Sequence, residues 1–232
     1  MRTVLLTGFE PFDQDTLNPS WEAVKALDQR LIKEDTRIVS RQLPCVFSQA
    51  PARLRELLET VRPDMVIAVG LGPGRTDIAI ERVAINLNDA RIPDNLGDQP
   101  IDTPVVMEGP AAYFSTLPIK AMVRALRAEG IPASVSQTAG TFVCNQVFYC
   151  LQHALAGTGI RSGFIHVPYL PQQVALAPQP VASMSLETQV QGLRVAIITA
   201  LDTWVDVLDS GGAGELTAAQ ASPRAVAHFE TA

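Results

Sequence analysis

The sequence lacks any cluster of basic residues, because its Lys and Arg side chains are scattered singly along the chain. The 232 residues contain 18 Lys and Arg against 24 Asp and Glu, which gives a net charge of −6. Proteins that bind nucleic acid present a concentrated positive surface to the phosphate backbone. We therefore expect no nucleic-acid partner.

Long apolar runs are also missing. No uncharged apolar stretch approaches the ~18 to 20 residues that a membrane-spanning helix requires. The short run from Val4 to Leu6 is soon followed by Glu10 and Asp13 and has no small-residue cleavage site, which is not typical of a signal peptide. We interpret this run as a first strand and expect a soluble cytoplasmic protein with no membrane partner.

Cysteine is scarce, with Cys45, Cys144 and Cys150 as its three occurrences. An odd number of cysteines does not suit a framework of disulfides, and a chain that is 47% hydrophobic can bury a core without them. This composition predicts reduced thiols, of which at least one is available for chemistry.

Short apolar runs that end at glycine alternate with segments of helical spacing. This order is typical of an α/β fold, and we predict a single domain with a three-layer α/β/α sandwich around a mostly parallel or mixed sheet. The catalytic domain is predicted to cover residues 1 to 209, followed by a mobile tail at 210 to 232 without strong apolar periodicity. The predicted strands are 4–6, 37–43, 65–69, 78–87, 131–135 and 163–167, and the predicted helices are 18–27, 47–58, 119–128, 144–156 and 186–208.

Cys144 follows a loop of small residues that delivers it to the first turn of a predicted helix. Unpaired N–H groups and the helix dipole stabilise a thiolate at such a position, which is typical of a nucleophile. A buried, inert cysteine is the alternative. Cys150 lies farther along the same helix among apolar residues, and we interpret it as a packing group. Cys45 follows Pro44 without a basic neighbour, and we interpret it as a packed or half-exposed thiol.

A base for this thiol must come from three histidines. His153 lies on the same helix, about 13 to 14 Å from Cys144 at ~1.5 Å per residue, which is too far for proton transfer. His228 lies in the weakly patterned C-terminal segment. His166 stands at the carboxyl end of an apolar strand, where α/β enzymes commonly open their active sites, although a core histidine is the alternative.

Glu81 is the best candidate for a group that orients a catalytic imidazole. It lies within an extended run of apolar and β-branched residues, where a carboxylate is costly to bury unless it has a partner. The alternative is an ordinary ion pair with Arg75 or Arg82.

Four motifs occur in order along residues 1 to 208. They are Thr7-Gly-Phe-Glu-Pro-Phe12 with Asn18-Pro-Ser20, Glu81-Arg-Val-Ala-Ile-Asn86 running into Asp89-Ala-Arg-Ile-Pro-Asp-Asn95, Ala139-Gly-Thr-Phe-Val-Cys-Asn145, and Gly163-Phe-Ile-His-Val-Pro168. Together they resemble the motifs of the pyroglutamyl peptidase I, or pyrrolidone-carboxylate peptidase, family.

This resemblance implies a cysteine exopeptidase that hydrolyses the amide bond after an N-terminal pyroglutamyl residue, with no metal or other cofactor. Its substrates would be peptides with an N-terminal pyroglutamate, and its assembly a homo-oligomer, commonly a tetramer. The resemblance implies a catalytic triad of Glu81, Cys144 and His166 and places Arg91 near the reacting carbonyl. The implied lining of the lactam pocket is Phe9, Phe12, Leu71, Phe142 and Val143.

The loop Gly70-Leu-Gly-Pro-Gly-Arg75 departs from the family pattern, which usually has Ala-Gly-Gly before the arginine. Because Pro73 has no N–H group, we expect a changed substrate fit around Leu71. This departure motivates an alternative function, a related cysteine amidase or acyl transferase with a different acyl pocket. A non-catalytic binder of anions at the Gly8 and Gly70 loops is a third hypothesis, but neither loop carries a phosphate-binding glycine motif.

Overall fold

The computed structural model describes residues 1–13 and 15–211. Within these ranges the chain forms nine strands and six helices. The strands are β1 (Arg2–Phe9), β2 (Leu31–Ile32), β3 (Thr36–Leu43), β4 (Met65–Leu71), β5 (Ile78–Glu81), β6 (Val83–Ile85), β7 (Ala112–Phe114), β8 (Ala133–Ser136) and β9 (Arg161–Val167). The helices are α1 (Pro19–Lys25), α2 (Ala50–Val61), α3 (Ile119–Ala128), α4 (Val143–Leu155), α5 (Pro171–Val174) and α6 (Leu186–Asp202). None of these helices is both long and apolar enough to cross a membrane.

Seven strands form one mixed sheet in the order β2-β3-β1-β4-β9-β5-β8. Strands β3, β1, β4 and β9 are parallel, so their carboxyl ends meet at one edge. Strand β5 runs antiparallel to β9 and parallel to β8. Strands β6 and β7 form a separate antiparallel pair.

Two hydrophobic cores cover the two faces of the large sheet. Alternation along β1 sends Val4 and Leu6 into the core that contains α1, α3 and α6, and Leu5 into the core that contains α2 and α4. Along β9, Ile165 belongs to the first core and Phe164 to the second. The predicted three-layer α/β/α sandwich is therefore confirmed.

Side-chain caps begin two of the helices where the sequence predicts helix starts. The Asn18 side chain accepts a hydrogen bond from the Ser20 N–H group, and Pro19 occupies the first turn of α1, where a missing donor is harmless. The Ser185 hydroxyl accepts one from the Thr188 N–H group at the start of α6. These local signals explain why the helix starts could be read from the sequence.

Most predicted boundaries shift by a few residues, and three larger departures occur within the described residues. Helix α6 ends at Asp202 and not at 208, because the chain turns back and the Asp206 carboxylate accepts hydrogen bonds from two N–H groups at the start of α3. The predicted strand 78–87 divides at Arg82, whose N–H group bonds to β8 while β6 pairs with β7. The segment between the predicted strand 163–167 and the predicted helix 186–208, for which no element is predicted, contains the short helix α5.

The predicted tail at 210 to 232 lies almost wholly outside the described residues, and so does His228. The first two residues of this predicted tail, Ser210 and Gly211, are described. The Gly211 carbonyl accepts hydrogen bonds from the Arg82 guanidinium at 3.2 Å and from the Gln137 amide at 2.8 Å.

Candidate active site

A cavity of about 560 Å³ opens at the edge where the carboxyl ends of β1, β4 and β9 meet. This is the edge at which open α/β sheets usually bind ligands. The residues that were predicted for the site and line this cavity are Phe9, Phe12, Leu71, Arg91, Phe142, Cys144 and His166.

Cys144 lies on the cavity wall as the second residue of α4. The preceding residue outside the helix, Phe142, has no side-chain group that caps it. Within the described part of the chain, the N–H groups of Val143, Cys144 and Asn145 donate no hydrogen bond. The helix therefore presents unpaired donors beside the thiol.

Gly70 makes room for this thiol on the surface of the sheet. It is the partner of His166 in the parallel pairing of β4 with β9. A β-carbon at Gly70 would lie 2.9 Å from the Cys144 Sγ atom and 2.9 Å from Cζ of Phe164. Neighbouring strands are about 4.8 Å apart, and the paired residues Gly70 and His166 point to the same face of the sheet. The thiol therefore lies over the strand next to His166 and on the same face as the imidazole.

Glu81 and His166 form a buried pair behind the cavity wall. The Nδ1 atom of His166 lies 2.8 Å from Oε1 of Glu81, and the glutamate side chain is 0% exposed. Since an ionised carboxylate can only accept, Nδ1 carries the proton and donates it, which leaves Nε2 as the basic nitrogen. The ring of Phe164 lies 4.9 Å from the imidazole ring and restricts its movement.

The same carboxylate also pairs with Arg75, whose Nη2 atom lies 3.2 Å from Oε1. Glu81 therefore contacts both an imidazole and an arginine, the two kinds of partner that the sequence suggested as alternatives. Arg82, the other suggested partner, bonds to Gly211 instead.

Burial and, to a smaller extent, the negative charge of Glu81 together raise the pKa of the Cys144 thiol to about 12. The sequence predicted a stabilised thiolate, because Cys144 stands in the first turn of a helix. Desolvation of the charged form outweighs this stabilisation. Burial likewise raises the pKa of Cys150 to about 11. The Cys144 proton must therefore be removed by a base and is not lost spontaneously at neutral pH.

Arg91 is exposed on the cavity wall, in a loop that is tied to the loop before α4. The Asp89 N–H group donates to the Thr141 carbonyl at 3.0 Å, and the Thr141 hydroxyl donates to the Asp89 carbonyl at 2.7 Å. This reciprocal pair holds the Arg91 loop beside the start of the helix that carries the thiol.

Aromatic side chains form the apolar part of the cavity. Phe142 lies between Phe12, whose ring centroid is 5.1 Å away, and Phe47, whose ring meets it edge-on at 5.0 Å. The predicted lining role of Val143 is not supported, because its side chain is fully buried in the core of α2 and α4. Successive helical residues point about 100° apart, so Val143 faces the core while Cys144 faces the cavity.

Asn145 is a site residue to which the sequence reasoning gave no role. Its fully buried amide donates to the carbonyls of Ile85 at 2.9 Å and Leu87 at 3.0 Å, and accepts from the Ile85 N–H group at 3.0 Å. The amide fixes the start of α4 against the chain that follows Glu81. A polar residue directly after the cysteine, in the first turn of an apolar helix, is the signal that could have revealed it.

Acidic side chains also line the cavity without having been predicted. They belong to Asp13, Asp15 and Asp89. Asp15 accepts a hydrogen bond of 3.0 Å from the Gln173 amide in α5, which joins two loops at the cavity rim.

The loop that departs from the family pattern forms a regular β-turn. The Arg75 N–H group donates to the Gly72 carbonyl at 3.1 Å, and Gly74 between them has a φ of +77°. Proline in the second position and glycine in the third position fit a type II turn, and Pro73 is exposed. Pro73 and Leu71 both line the cavity, so the position that lacks an N–H group belongs to the cavity wall.

Known proteins of one family match this chain in sequence. A family model of pyroglutamyl peptidase matches residues 2–203. Similar relatives include the pyrrolidone-carboxylate peptidases of Pseudomonas fluorescens, 67% identical over 212 residues, and of Cupriavidus taiwanensis, 63% identical over 217 residues. Each alignment covers 91% of this chain and 99% of the relative.

Solved structures agree with the sequence matches. Pyroglutamyl peptidase I of Bacillus amyloliquefaciens superimposes with a TM-score of 0.85 at 48% identity, covering 89% of this chain and 100% of that one. The pyrrolidone carboxyl peptidase of Thermococcus litoralis gives a TM-score of 0.83 at 41% identity, covering 87% and 94%. With a family model across nearly all of the described residues and relatives above 60% identity along their whole length, the chain belongs to the pyroglutamyl peptidase family.

Proposed function

We propose that this cysteine peptidase, which removes N-terminal pyroglutamate from peptides, uses Cys144 as its nucleophile and His166 as its general base. Glu81 positions the imidazole. The observation that carries this assignment is the buried contact of 2.8 Å between His166 and Glu81, next to the thiol that lies over Gly70. A nucleophile, a base and a group that orients the base are the parts that covalent acyl transfer requires.

The reaction begins with transfer of the Cys144 proton to Nε2 of His166, and Glu81 stabilises the imidazolium that forms. The thiolate attacks the carbonyl carbon of the pyroglutamyl residue. The imidazolium then protonates the leaving amine, the C–N bond breaks, and a thioester remains on Cys144. Water, deprotonated by His166, hydrolyses the thioester to free pyroglutamate and restores the thiol.

The negative oxygen of the tetrahedral intermediate needs donors. The unpaired N–H group of Cys144 and the guanidinium of Arg91 supply them in this proposal, since both belong to the cavity wall. Loss of one donor of this kind typically lowers kcat by ~10² to 10³.

Aromatic side chains account for the choice of pyroglutamate. The lactam ring is flat and uncharged, so it can lie against Phe12 and Phe142 without a desolvation penalty for charge. An ordinary N-terminus would bring an ammonium group into this apolar wall, at a cost of several kcal/mol if it stays unpaired.

The test is release of a chromogenic amine from a pyroglutamyl amide. Cys144→Ala should lower kcat/KM by more than ~10³-fold, because the nucleophile is gone. Cys150→Ala, on the same helix, should keep wild-type turnover and serves as the control. Wild-type turnover by Cys144→Ala would overturn the assignment.

A related cysteine amidase or acyl transferase with a different acyl pocket is the alternative function. The observation that favours it is the place of Pro73, which lines the cavity next to Leu71 at the point where the loop departs from the family pattern. Comparison of pyroglutamyl with prolyl and alanyl amides discriminates the two, since the peptidase should accept only the lactam.

We further propose a cytoplasmic homo-oligomer, commonly a tetramer in this family, with one catalytic domain over residues 1 to 209. All three cysteines are free thiols, which suits a reducing compartment. Exposed apolar side chains at Trp204, Val205 and Leu208 offer surface for association. Sedimentation equilibrium tests the assembly, and a single species of monomer mass would contradict it.

A further inference from the structure

The guanidinium of Arg75 lies behind the histidine of the site and does not line the cavity. We propose that Arg75 is a positioning residue, which holds the Glu81 carboxylate in the ionised form and orientation that His166 requires. The inference rests on the proposed function, since it needs His166 to act as the base. Four observations support it.

The first observation is the pairing of the carboxylate. Its Oε1 atom accepts from both His166 Nδ1 and Arg75 Nη2, while Oε2 has no hydrogen-bond partner within the described chain. The Glu81 side chain is 0% exposed, so water does not compensate its charge. In the proposed mechanism His166 gains its positive charge by taking the Cys144 proton, whereas an arginine is always charged. Arg75 is therefore the permanent positive charge beside the buried carboxylate.

The second observation is that the same guanidinium reaches the loop before the nucleophile. Its Nη2 atom donates to the Ser136 hydroxyl at 2.7 Å, and that hydroxyl donates to the Thr138 carbonyl at 3.0 Å. Residues 138 to 142 then lead directly into α4. Arg75 thus joins the carboxylate to the segment that carries Cys144.

The third observation concerns how the side chain is brought there. The β-turn over Gly72, Pro73 and Gly74 reverses the chain so that Arg75 folds back over Gly72. A β-carbon at Gly72 would lie 2.7 Å from Cγ of Arg75 and 3.1 Å from Cβ of His166. The aliphatic part of the arginine therefore occupies the space beside the histidine.

The fourth observation separates this role from substrate binding. The side chain of Arg75 is 29% exposed, but it is not among the residues that line the cavity. A group in this position influences the base and leaves the pocket for the lactam unchanged. Its loss should therefore lower kcat and leave KM near the wild-type value.

The experiment compares Arg75→Ala, Arg75→Lys and Arg82→Ala with the wild type on a chromogenic pyroglutamyl amide. Arg75→Ala should lower kcat by ~10- to 100-fold, the scale of a small misplacement of a catalytic group. Arg75→Lys, which keeps the charge but loses the planar fork, should lower kcat less. Guanidinium ion at non-denaturing concentration should partly restore the alanine variant. Arg82→Ala is the control, because the guanidinium of this neighbouring arginine bonds only to the Gly211 carbonyl in the described structure.

Wild-type kcat in Arg75→Ala would overturn the inference. So would a loss that guanidinium does not relieve in a variant of wild-type thermal stability, or an equal loss in Arg82→Ala. If the wild type failed to cleave pyroglutamyl amides, the proposed function would fail but this inference would still be decided by the alkylation rate of Cys144. That rate should fall in Arg75→Ala and recover with guanidinium, and an unchanged rate would refute the positioning role.

Discussion

Gly70→Ala tests whether the nucleophile depends on the empty space above β4. The new β-carbon would lie 2.9 Å from the Cys144 Sγ atom and 2.9 Å from Cζ of Phe164. Comfortable contacts between such atoms are about 3.5 to 4.0 Å, so the thiol must move by roughly 0.6 to 1.1 Å or the aromatic ring must shift. The backbone at Gly70 is part of a paired strand and has little freedom to give way.

A displacement of this size has a known consequence for catalysis. Misplacement of a reacting group by about 1 Å can lower the rate by ~10²-fold, and we expect kcat/KM of Gly70→Ala to fall by about that factor. Overpacking should also lower the free energy of unfolding by about 1 to 3 kcal/mol. The assay is amide hydrolysis, measured together with thermal unfolding.

Gly163→Ala is the matched control. Gly163 lies in the neighbouring strand β9, but its β-carbon would meet Leu117 Cδ1 and the Ser115 hydroxyl, each at 2.5 Å, on the opposite face of the sheet. This variant should lose comparable stability while it keeps most of its turnover. If folded Gly70→Ala cleaved the substrate at the wild-type rate, or if Gly163→Ala lost as much activity, the thiol would not depend on this space.

Three further predictions concern the same site. Glu81→Gln should lower kcat by up to ~10⁴-fold with little change in KM, because an amide no longer fixes the imidazole tautomer, and a changed KM with unchanged kcat would contradict this. Asn145→Ala should lower the free energy of unfolding by ~2 to 4 kcal/mol, measured by urea denaturation, because it removes the three hydrogen bonds of a fully buried amide. In His166→Ala, the pKa of about 12 keeps Cys144 protonated. The rate of its alkylation by iodoacetamide should therefore rise about tenfold per pH unit between pH 6 and 10, because only the thiolate reacts. A rate that levels off within this range would show that another base acts on the thiol.

Local features of the sequence were enough to predict much of the site. Helix α4 begins one residue before its predicted start, because a loop of small residues followed by an apolar period is a local signal. Strand β9 ends at Val167 as predicted, because Pro168 follows it. These two boundaries already set Cys144 at a helix start and His166 at a strand end.

Long-range pairing was not predictable in the same way. The two-residue strand β2 and the short β7 exist only through their partners and carry no periodicity of their own. The end of α6 depends on Asp206, which stabilises a different helix. The link from Arg75 to Ser136 joins residues 61 positions apart, and no local pattern announces such a contact.

The direction of β5 explains why the carboxylate is buried while the histidine reaches the cavity. Because β5 runs antiparallel to β9, Ala79 lies opposite His166, and Glu81 lies two residues farther from the cavity edge on the same face. Two residues along a strand span about 6.6 Å. The carboxylate therefore contacts Nδ1 of the imidazole from the side away from the cavity edge. His166 lines the cavity together with Cys144, and the proposed mechanism uses its Nε2 atom as the base. A parallel β5 would bring its carboxyl end to the exposed edge, where water would weaken the hold of the glutamate on the base.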